Sequence, residues 1–348
     1  MTGAPFFGWR SRLAALAGAV AWSCSAVAAT PAATTAMAGP AAAMPSGESS
    51  PIADAAALAF WWGNFDELER QYLAVRASPD LVDGGTLKLE WFRQGLVRVL
   101  DADGQHDPYL AQLEALTHAW SVEHPSSALA QLLYARALYA RGYKLRGGDV
   151  VDKTPAAAMA PFDRYLALAE TQLADHAELL RNESTTYVYL ALFARWHRPF
   201  EDVQSIVRAG LKTNRNDIGG YVELASAALP RWGGDYPLFD AVAREAAARV
   251  GGYDGQAVVA ILYDDKVAQF DGAIFGDSQV DWPTLRQGYR DDLARYPNFY
   301  MLNRFARMAC LAEDKPTTLR LLDQIGPKPS QNAWGQRFDA CRRWALSP

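Results

Sequence analysis

Hydrophobic positions recur at helical spacing along almost the whole chain after residue 51. Apolar side chains repeat at intervals of three and four residues, and no segment sustains the alternation of apolar and polar positions that is typical of a strand. Glycine and proline separate the apolar stretches. The pattern therefore predicts an all-α protein with helices over 52–62, 65–78, 87–100, 108–123, 126–145, 155–181, 186–196, 200–212, 217–229, 236–250, 256–270, 282–296, 299–313, 317–325 and 331–346.

Local signals add detail to these helices. Pro161 marks the place where the helix over 155–181 would break, because proline removes a helical hydrogen bond. Asp217 is the predicted N-cap of the helix that follows it. Residues 83–85, Asp-Gly-Gly, predict a turn, and residues 271–280 predict a longer loop.

One segment of the sequence occurs twice. Tyr187–Ala191 (Tyr-Val-Tyr-Leu-Ala) returns 34 residues later as Tyr221–Ala225 (Tyr-Val-Glu-Leu-Ala), and an Arg-Trp pair follows each copy, at Arg195-Trp196 and at Arg231-Trp232. A 34-residue period with two helices per unit is typical of tetratricopeptide repeats. We therefore expect antiparallel helix pairs stacked in a right-handed superhelix, because such units cannot bury their apolar faces alone.

A shorter frame, tryptophan followed four residues later by an aromatic residue, accompanies the helix turns. It occurs at Trp61-Phe65, Trp196-Phe200, Trp232-Tyr236 and Trp334-Phe338. In the first three, we expect the tryptophan to end one helix and the second ring to open the next, so that the two rings clamp the turn between them. The fourth is predicted to lie inside a single helix.

The first 28 residues read as a secretory signal peptide. Arg10 and Arg12 precede a short apolar run, and Ala26-Val27-Ala28 offers the small residues of a cleavage site after Ala28. An uncleaved anchor and lipidation at Cys24 are the alternatives. The Ala, Pro, Ser and Thr residues of 29–51 predict a disordered linker, since they offer little apolar surface to offset chain entropy. The organisation predicted after it is an N-terminal helical region (52–180) and a tetratricopeptide-like region (181–348).

Charge limits the classes of partner. The chain has 34 Lys and Arg against 39 Asp and Glu; without residues 1–50, which hold two Arg and one Glu, the counts are 32 and 38. A mildly acidic protein does not favour nucleic acid, which requires a basic surface. The sequence also predicts no transmembrane segment in the mature chain, so the expected location is periplasmic or secreted.

The cysteine content agrees with export. Cys310 and Cys341 are the two cysteines that remain after signal cleavage, and an oxidising compartment favours a disulfide between them. Two buried thiols, or a cysteine nucleophile, are the other interpretations. A nucleophile is the least favoured, because neither cysteine has a histidine within fifty residues along the sequence.

Motifs for catalysis do not stand out. The sequence has no His-Glu-x-x-His zinc motif, no Gly-x-Ser-x-Gly elbow and no glycine-rich phosphate loop. Adjacent carboxylates such as Asp66-Glu67 and Glu201-Asp202 suit the first turn of a helix and point in different directions. We therefore predict no catalytic residues, no metal ligands and no cofactor.

Two interpretations apply to the repeated Arg-Trp pairs. Exposed arginine and tryptophan are good binding anchors, so Arg195, Trp196, Arg231, Trp232 and Tyr236 are the candidate binding residues. Alternatively, the pairs stack within the repeats and stabilise them, because a residue that recurs in a solenoid usually serves structure.

Several short motifs in the second half of the chain carry a resemblance to a known family. They are Leu229–Gly234 (Leu-Pro-Arg-Trp-Gly-Gly), Asn303–Ala306, Ala309-Cys310, Trp334-Gly335 and the frame Phe338-x-x-Cys341-x-x-Trp344-Ala345. Over residues 180–348 the chain resembles a bacterial family of secreted or periplasmic proteins with a tetratricopeptide-like domain of unknown function. The resemblance implies a fold and a compartment, and no reaction.

The expected function is that of an exported, non-enzymatic scaffold. It would engage a peptide, a protein or an envelope component on the concave face of its helical repeats. The alternative is a cell-envelope enzyme, such as a hydrolase or a helical superstructure like those of lytic transglycosylases, with an unrecognised active site. A secreted toxin or immunity factor is a third hypothesis for which the sequence has no marker.

The signal peptide gives a first testable prediction. Protein recovered from the exported fraction of a bacterial host should begin at Ala29, because cleavage is expected after Ala28. Intact-mass measurement with N-terminal sequencing checks this. Recovery of the uncut chain, or of a lipid-modified Cys24, would contradict it.

Overall fold

Helices carry nearly all of the regular structure. The computed structural model describes residues 44, 46–82, 84–100, 107–149, 153–251, 253, 256–270 and 273–347. Its α-helices within those residues are α1 (Pro51–Trp61), α2 (Phe65–Val75), α3 (Lys88–Leu100), α4 (Asp107–Glu123), α5 (Ala128–Arg146), α6 (Ala156–Asp175), α7 (Ala177–Leu180), α8 (Ser184–Ala194), α9 (Phe200–Gly210), α10 (Gly219–Ala227), α11 (Tyr236–Arg249), α12 (Ala257–Lys266), α13 (Ile274–Asp277), α14 (Trp282–Arg295), α15 (Phe299–Leu311), α16 (Lys315–Ile325), α17 (Gln331–Trp334) and α18 (Phe338–Leu346). The predicted all-α class is confirmed.

The described strands form one small hairpin. β1 (Leu81–Val82) pairs antiparallel with β2 (Thr86–Leu87) around the predicted glycine turn. The Lys88 N–H donates to the Asp80 carbonyl at 3.1 Å, and the Lys88 ammonium binds the Asp80 carboxylate at 2.7 Å. We call residues 79–82 and 84–88 the hairpin.

Short polar side chains begin many of the helices. Each accepts a hydrogen bond from a backbone N–H two or three residues later, which satisfies a donor that has no partner inside the helix. These N-caps are Ser50, Asn64, Ser127, Asp235, Asp281, Asn298, Asp314 and Ser330. The helix boundaries in the sequence are therefore set largely by local chemistry.

Between α8 and α12 the helices pack on their first and second neighbours along the chain. Helix α8 packs on α9 and α10, and α10 packs on α9, α11 and α12. Helix α12 then packs on α14, and α15 packs on α14, α16, α17 and α18. Packing of this kind is what paired helices in consecutive units would produce.

Two apolar clusters form the core, and α8 contributes to both. Leu192 and Phe193 pack with side chains from α1 to α6, whereas Ala191 and Ala194 pack with side chains from α9 to α18. The part of the chain from Met44 onward forms one compact unit by its contacts.

The two copies of the repeated segment lie in α8 and α10, with partly different surroundings. Ala191 in α8 and Ala225 in α10 are both fully buried. Leu224 is fully buried, whereas Leu190 is half-buried at the edge of the other cluster. The sequence period therefore relates α8 to α10, but Leu190 and Leu224 are not equivalently placed, and the superhelical stacking stays a prediction.

The prediction that Trp334 and Phe338 share one helix is wrong. Helix α17 ends at Trp334 and α18 begins at Phe338, because Gly335 has a φ of 56°. This left-handed conformation ends a helix and favours glycine. In all four frames, then, the second aromatic residue is the first residue of a helix.

Among the described ring contacts, the clamp predicted for the first three frames does not occur; a pair of contacting rings occurs instead in the last frame, for which no clamp is predicted. The rings of Trp334 and Phe338 lie 5.2 Å apart, centroid to centroid, in an edge-on arrangement. The ring of Trp61 instead contacts Tyr109, and the ring of Trp196 contacts Phe162. Tryptophan side chains at these turns therefore join different parts of the fold.

Three local predictions differ from the structure. Helix α6 continues through Pro161, which lies in its second turn, and ends instead at Asp175. The predicted loop 271–280 contains the short helix α13. Asp217 accepts a hydrogen bond from the Gly219 N–H at 3.1 Å, but the residue before α10 is Ile218.

Residues 46–50, which the sequence placed in the linker, contact the C-terminal helices. The Ser46 carbonyl accepts a hydrogen bond from the Tyr300 N–H at 2.9 Å, and the Glu48 carboxylate accepts one from the Ser330 hydroxyl. Ser50 then caps α1. The signal peptide and residues 29–43 of the predicted linker lie outside the described residues.

The predicted disulfide between Cys310 and Cys341 is confirmed. It joins α15 to α18, with the two Cα atoms 5.9 Å apart and a sequence separation of 31. Among the described helices, none is both long enough and apolar enough to cross a lipid bilayer.

The disulfide should stabilise the C-terminal helices. Replacing both cysteines, Cys310→Ser with Cys341→Ser, is expected to lower the free energy of unfolding by about 3–4 kcal/mol, because the unfolded chain then loses a constraint over this loop. Denaturant unfolding under non-reducing conditions measures the change. Two titratable thiols in denatured, exported, cleaved wild-type protein would contradict the bridge.

Candidate binding site

The candidate residues of the two Arg-Trp pairs come together in space. Arg195 and Trp196 follow directly after α8. Arg231 and Trp232 lie in a short 3-10 turn after α10, which ends at Gly233 with a φ of 88°. Because α8 and α10 pack side by side, their carboxyl ends place the two pairs next to each other.

Contact between the two tryptophans is direct. The rings of Trp196 and Trp232 lie 4.5 Å apart, centroid to centroid, at 82°. Trp196 also contacts Phe162 of α6 at 4.7 Å, and its indole N–H donates to the Tyr139 hydroxyl at 3.1 Å. Edge-on ring pairs of this kind are favourable beyond their buried area. Both tryptophans are half-buried, so part of each ring remains accessible.

Arginine side chains lie over these rings. The guanidinium of Arg146 is 4.9 Å from the centre of the Trp196 ring, and that of Arg195 is 4.9 Å from the centre of the Trp232 ring. Arg231 lies over the ring of Trp232, next to it in sequence, at 5.6 Å. Cations and rings therefore alternate from α5 to the turn after α10, and we call Arg146, Trp196, Arg195, Trp232 and Arg231 the Arg-Trp row.

The two repeated arginines differ in their surroundings. The Arg195 side chain is 15% exposed and forms a salt bridge with Glu223 of α10. Burial by itself would lower the pKa of Arg195, but the charge of Glu223 and the hydroxyl of Tyr139 raise it above its ordinary value. Arg231 is exposed and donates to the side chain of Gln269 at 2.7 Å.

Tyr236, the fifth candidate residue, opens α11 and belongs to a neighbouring ring cluster. Its ring stacks on Phe270 at 4.9 Å, and Phe239 contacts Phe270 at 5.5 Å. The sequence had no signal for Arg146 or Phe162, because they come from α5 and α6 and do not follow a copy of the repeated segment. Their position shows that the row extends beyond the two recognised repeats.

The contacts of the repeated Arg-Trp pairs fit both a structural role and a binding role. Arg195 and Trp196 join α8 to α5, α6 and α10 through the salt bridge, the hydrogen bond and the ring contacts, as a structural role requires. Arg231 is exposed and part of the Trp232 ring is accessible, as a binding role requires. The arrangement can offer flat apolar contact together with guanidinium donors.

A second group of charged residues lies where the N-terminal part meets α10. Arg93 of α3 and Asp217 are 3% and 5% exposed, and the Arg93 guanidinium donates to both Asp217 oxygens, at 2.7 Å and 2.6 Å. Burial disfavours charge on both groups, yet their mutual attraction raises the pKa of Arg93 and lowers that of Asp217. Glu90 binds the same guanidinium at 2.8 Å. The pair therefore fixes α3 against α10.

Groups of three or more side chains that could hold a metal ion are absent from the described residues. Comparison with known protein families, with curated proteins and with solved structures gives no significant match to this chain. The family resemblance over residues 180–348 therefore stays a hypothesis that rests on its sequence motifs.

The row gives a stability prediction with an internal control. A double-mutant cycle of Arg195→Leu and Trp232→Leu should show a coupling free energy of about 1 kcal/mol, because the buried guanidinium faces the ring with little water between them. The matched cycle of Arg231→Leu and Trp232→Leu should give about 0.5 kcal/mol or less, because Arg231 is exposed. Denaturant unfolding measures both. Equal coupling free energies in the two cycles would contradict the expectation that the buried arginine interacts more strongly with the Trp232 ring than the exposed one.

Proposed function

We propose that this protein is an exported, non-enzymatic scaffold of stacked, tetratricopeptide-like helix pairs. Its Arg-Trp row would engage a peptide or protein partner, including one from the cell envelope. The observation that carries the proposal is that the arginine and tryptophan of two successive repeats meet in one partly accessible row.

The chemistry of the row suits a polypeptide ligand. Tryptophan and arginine are the side chains that most often dominate binding energy at protein interfaces. An indole face offers a large contact area at small entropy cost, and a guanidinium can donate to peptide carbonyls or to carboxylates. At one end of the row, the half-buried Trp232 and the exposed Arg231 provide both groups side by side.

Export is part of the same proposal. The basic and apolar N-terminus and the small residues before Ala29 support a secretory route. The Cys310–Cys341 disulfide is compatible with an oxidising compartment. The repeated segment and the packing of α8 through α12 support the helical-repeat scaffold.

A paired substitution separates binding from structure. Arg231→Ala with Trp232→Ala should abolish capture of partners from a cell-envelope extract, while the melting temperature falls by less than about 4 °C, since Arg231 is exposed and Trp232 is half-buried. Quantitative mass spectrometry of captured proteins measures the loss. Titration of the most enriched partner, as purified protein, against both forms then gives the change in affinity.

The control changes an exposed pair of similar character elsewhere. Leu319→Ala with Arg320→Ala on α16 removes one apolar and one cationic exposed side chain and should leave capture unchanged. If the row variant binds its partner as the wild type does, or if it loses binding only because it unfolds, the row is structural and the proposal fails.

A further inference from the structure

The last helix, α18, buries few side chains against the rest of the protein. Its buried residues are Cys341 and Ala345, while Phe338 and Trp344 are half-buried and the remaining five are exposed. The free energy gained by packing follows the apolar area that is removed from water. Because Cys341 is one of the bridged cysteines, Ala345 is the one buried side chain of α18 that packing alone holds in place.

This helix also lacks the local features that would stabilise it by itself. It has nine residues, and isolated helices shorter than about 12 residues are marginal in water. Arg337, which precedes it, makes no side-chain hydrogen bond that caps the helix. Among the described residues, the hydrogen bond that joins this segment to another helix runs from the exposed Lys315 ammonium to the Ser347 carbonyl. The attachment of α18 to α15 and α16 therefore depends strongly on the disulfide.

The preceding helix, α17, is held much more firmly. The Trp334 side chain is 1% exposed. Its indole N–H donates to the side-chain oxygen of Asn303 in α15 at 2.8 Å, and the Ser330 N–H donates to the same oxygen at 3.1 Å. The Ser330 hydroxyl also caps α17, because it accepts from the Ala333 N–H at 3.2 Å. Loss of α18 would therefore leave α17 in place.

An exposed segment of three residues joins these two helices. Gly335, Gln336 and Arg337 are all exposed, and Gly335 has a φ of 56°. Hinges in proteins are short segments of this kind, whose backbone angles can change while the packed elements on either side stay intact. The boundary between a firmly held helix and a weakly held one therefore lies at Gly335.

We propose that the Cys310–Cys341 disulfide is a redox-sensitive latch. While it is intact, α18 stays docked on α15 and α16. Once a dithiol reduces it, α18 swings away about Gly335 and the other helices stay folded. The inference does not depend on the function proposed for the Arg-Trp row.

Reduction follows ordinary thiol–disulfide exchange. One thiolate of the dithiol attacks a bridge sulfur and forms a mixed disulfide, and the second thiol of the reagent then attacks that bond and closes a cyclic disulfide. Each cysteine leaves as a thiolate and takes up a proton. Two electrons pass from the dithiol to the bridge, so the products are two cysteine thiols and one oxidised dithiol. Cys310 is half-buried, so the bridge lies near the surface, where a small dithiol has access to it.

Release follows from a loss of effective concentration. The bridge keeps α18 beside its docking surface, so each transient detachment is rapidly reversed. Without the bridge, a few buried and half-buried side chains must order a nine-residue helix, and the entropy of the chain opposes them. The equilibrium then favours the detached helix.

Detachment would change the surroundings of Trp334. The Phe338 ring lies 5.2 Å from the Trp334 ring, centroid to centroid, in the docked form. When α18 leaves, the Phe338 ring moves with it, while the hydrogen bond from Trp334 to Asn303 stays. The reduced protein therefore presents part of a tryptophan that the oxidised protein buries, together with the surfaces of α15 and α16 that α18 covers.

Hydrogen exchange of the exported full chain, with and without millimolar dithiothreitol at one pH, tests the latch. After reduction we expect the amides of residues 341–346 to exchange within about tenfold of the rate of an unstructured peptide. In the oxidised protein they should exchange at least about tenfold more slowly than after reduction. The amides of α15 should stay protected at least about a hundredfold in both forms, because the rest of the protein remains folded.

Removal of the cysteines separates the effect of the bridge from that of the reductant. Cys310→Ser with Cys341→Ser should show the same loss of protection in α18 without dithiothreitol. Adding dithiothreitol to this matched control should change nothing further. Trypsin gives an independent readout. Cutting after Arg342 or Arg343 should become at least about tenfold faster without the bridge, whereas cutting after the exposed Arg320 of α16 should stay slow.

Three outcomes would overturn the proposal. If residues 341–346 stay protected by more than about tenfold without the bridge, α18 docks by packing alone. If α15 loses protection to the same level as α18, the whole protein unfolds and the latch is not local. If dithiothreitol leaves the bridge intact in the folded protein, which alkylation and mass measurement would show, the disulfide is a permanent structural link.

Discussion

The structure depends on the burial of apolar side chains between neighbouring helices, because no helix pair can bury its apolar face alone. Helix α8 makes this most clear, because Leu192 and Phe193 pack into one apolar cluster while Ala191 and Ala194 pack into the other. Apolar area removed from water is the main favourable term in folding. A helix shared in this way makes the N-terminal and C-terminal helices stabilise each other. Its carboxyl end also carries Arg195 and Trp196 of the Arg-Trp row.

Much of the secondary structure could be predicted because its causes are local. Caps such as Asn64 and Asp281 accept hydrogen bonds within three residues, so their effect is visible in a short stretch of sequence. The disulfide could be predicted from compartment and cysteine number. The repeat pointed to Arg195-Trp196 and Arg231-Trp232 as related pairs, but it did not predict that the two pairs contact each other. The break at Gly335 was missed because the apolar spacing continues across it.

Contacts between distant parts of the chain could not be predicted. Arg93 and Asp217 are 124 residues apart, and each would be ordinary on a helix surface. The same holds for Arg146 and Phe162, which join the row from helices without the repeat. Periodicity identifies which helices are equivalent, but not which side chains of other helices they contact.

The anchoring of residues 46–50 has a consequence for the order of folding. Glu48 contacts Ser330, 282 residues later in the chain. Closing so long a loop is slow and costs entropy, so a contact of this kind forms after the local helix pairs. Because synthesis starts at the N-terminus, residues 46–50 are made long before the C-terminal helices that they contact. Their contacts can form only after those helices have been synthesised. A chain truncated before Ser330 should therefore lose the contact that holds Glu48. Proteases should then cut such a chain first near residues 46–50.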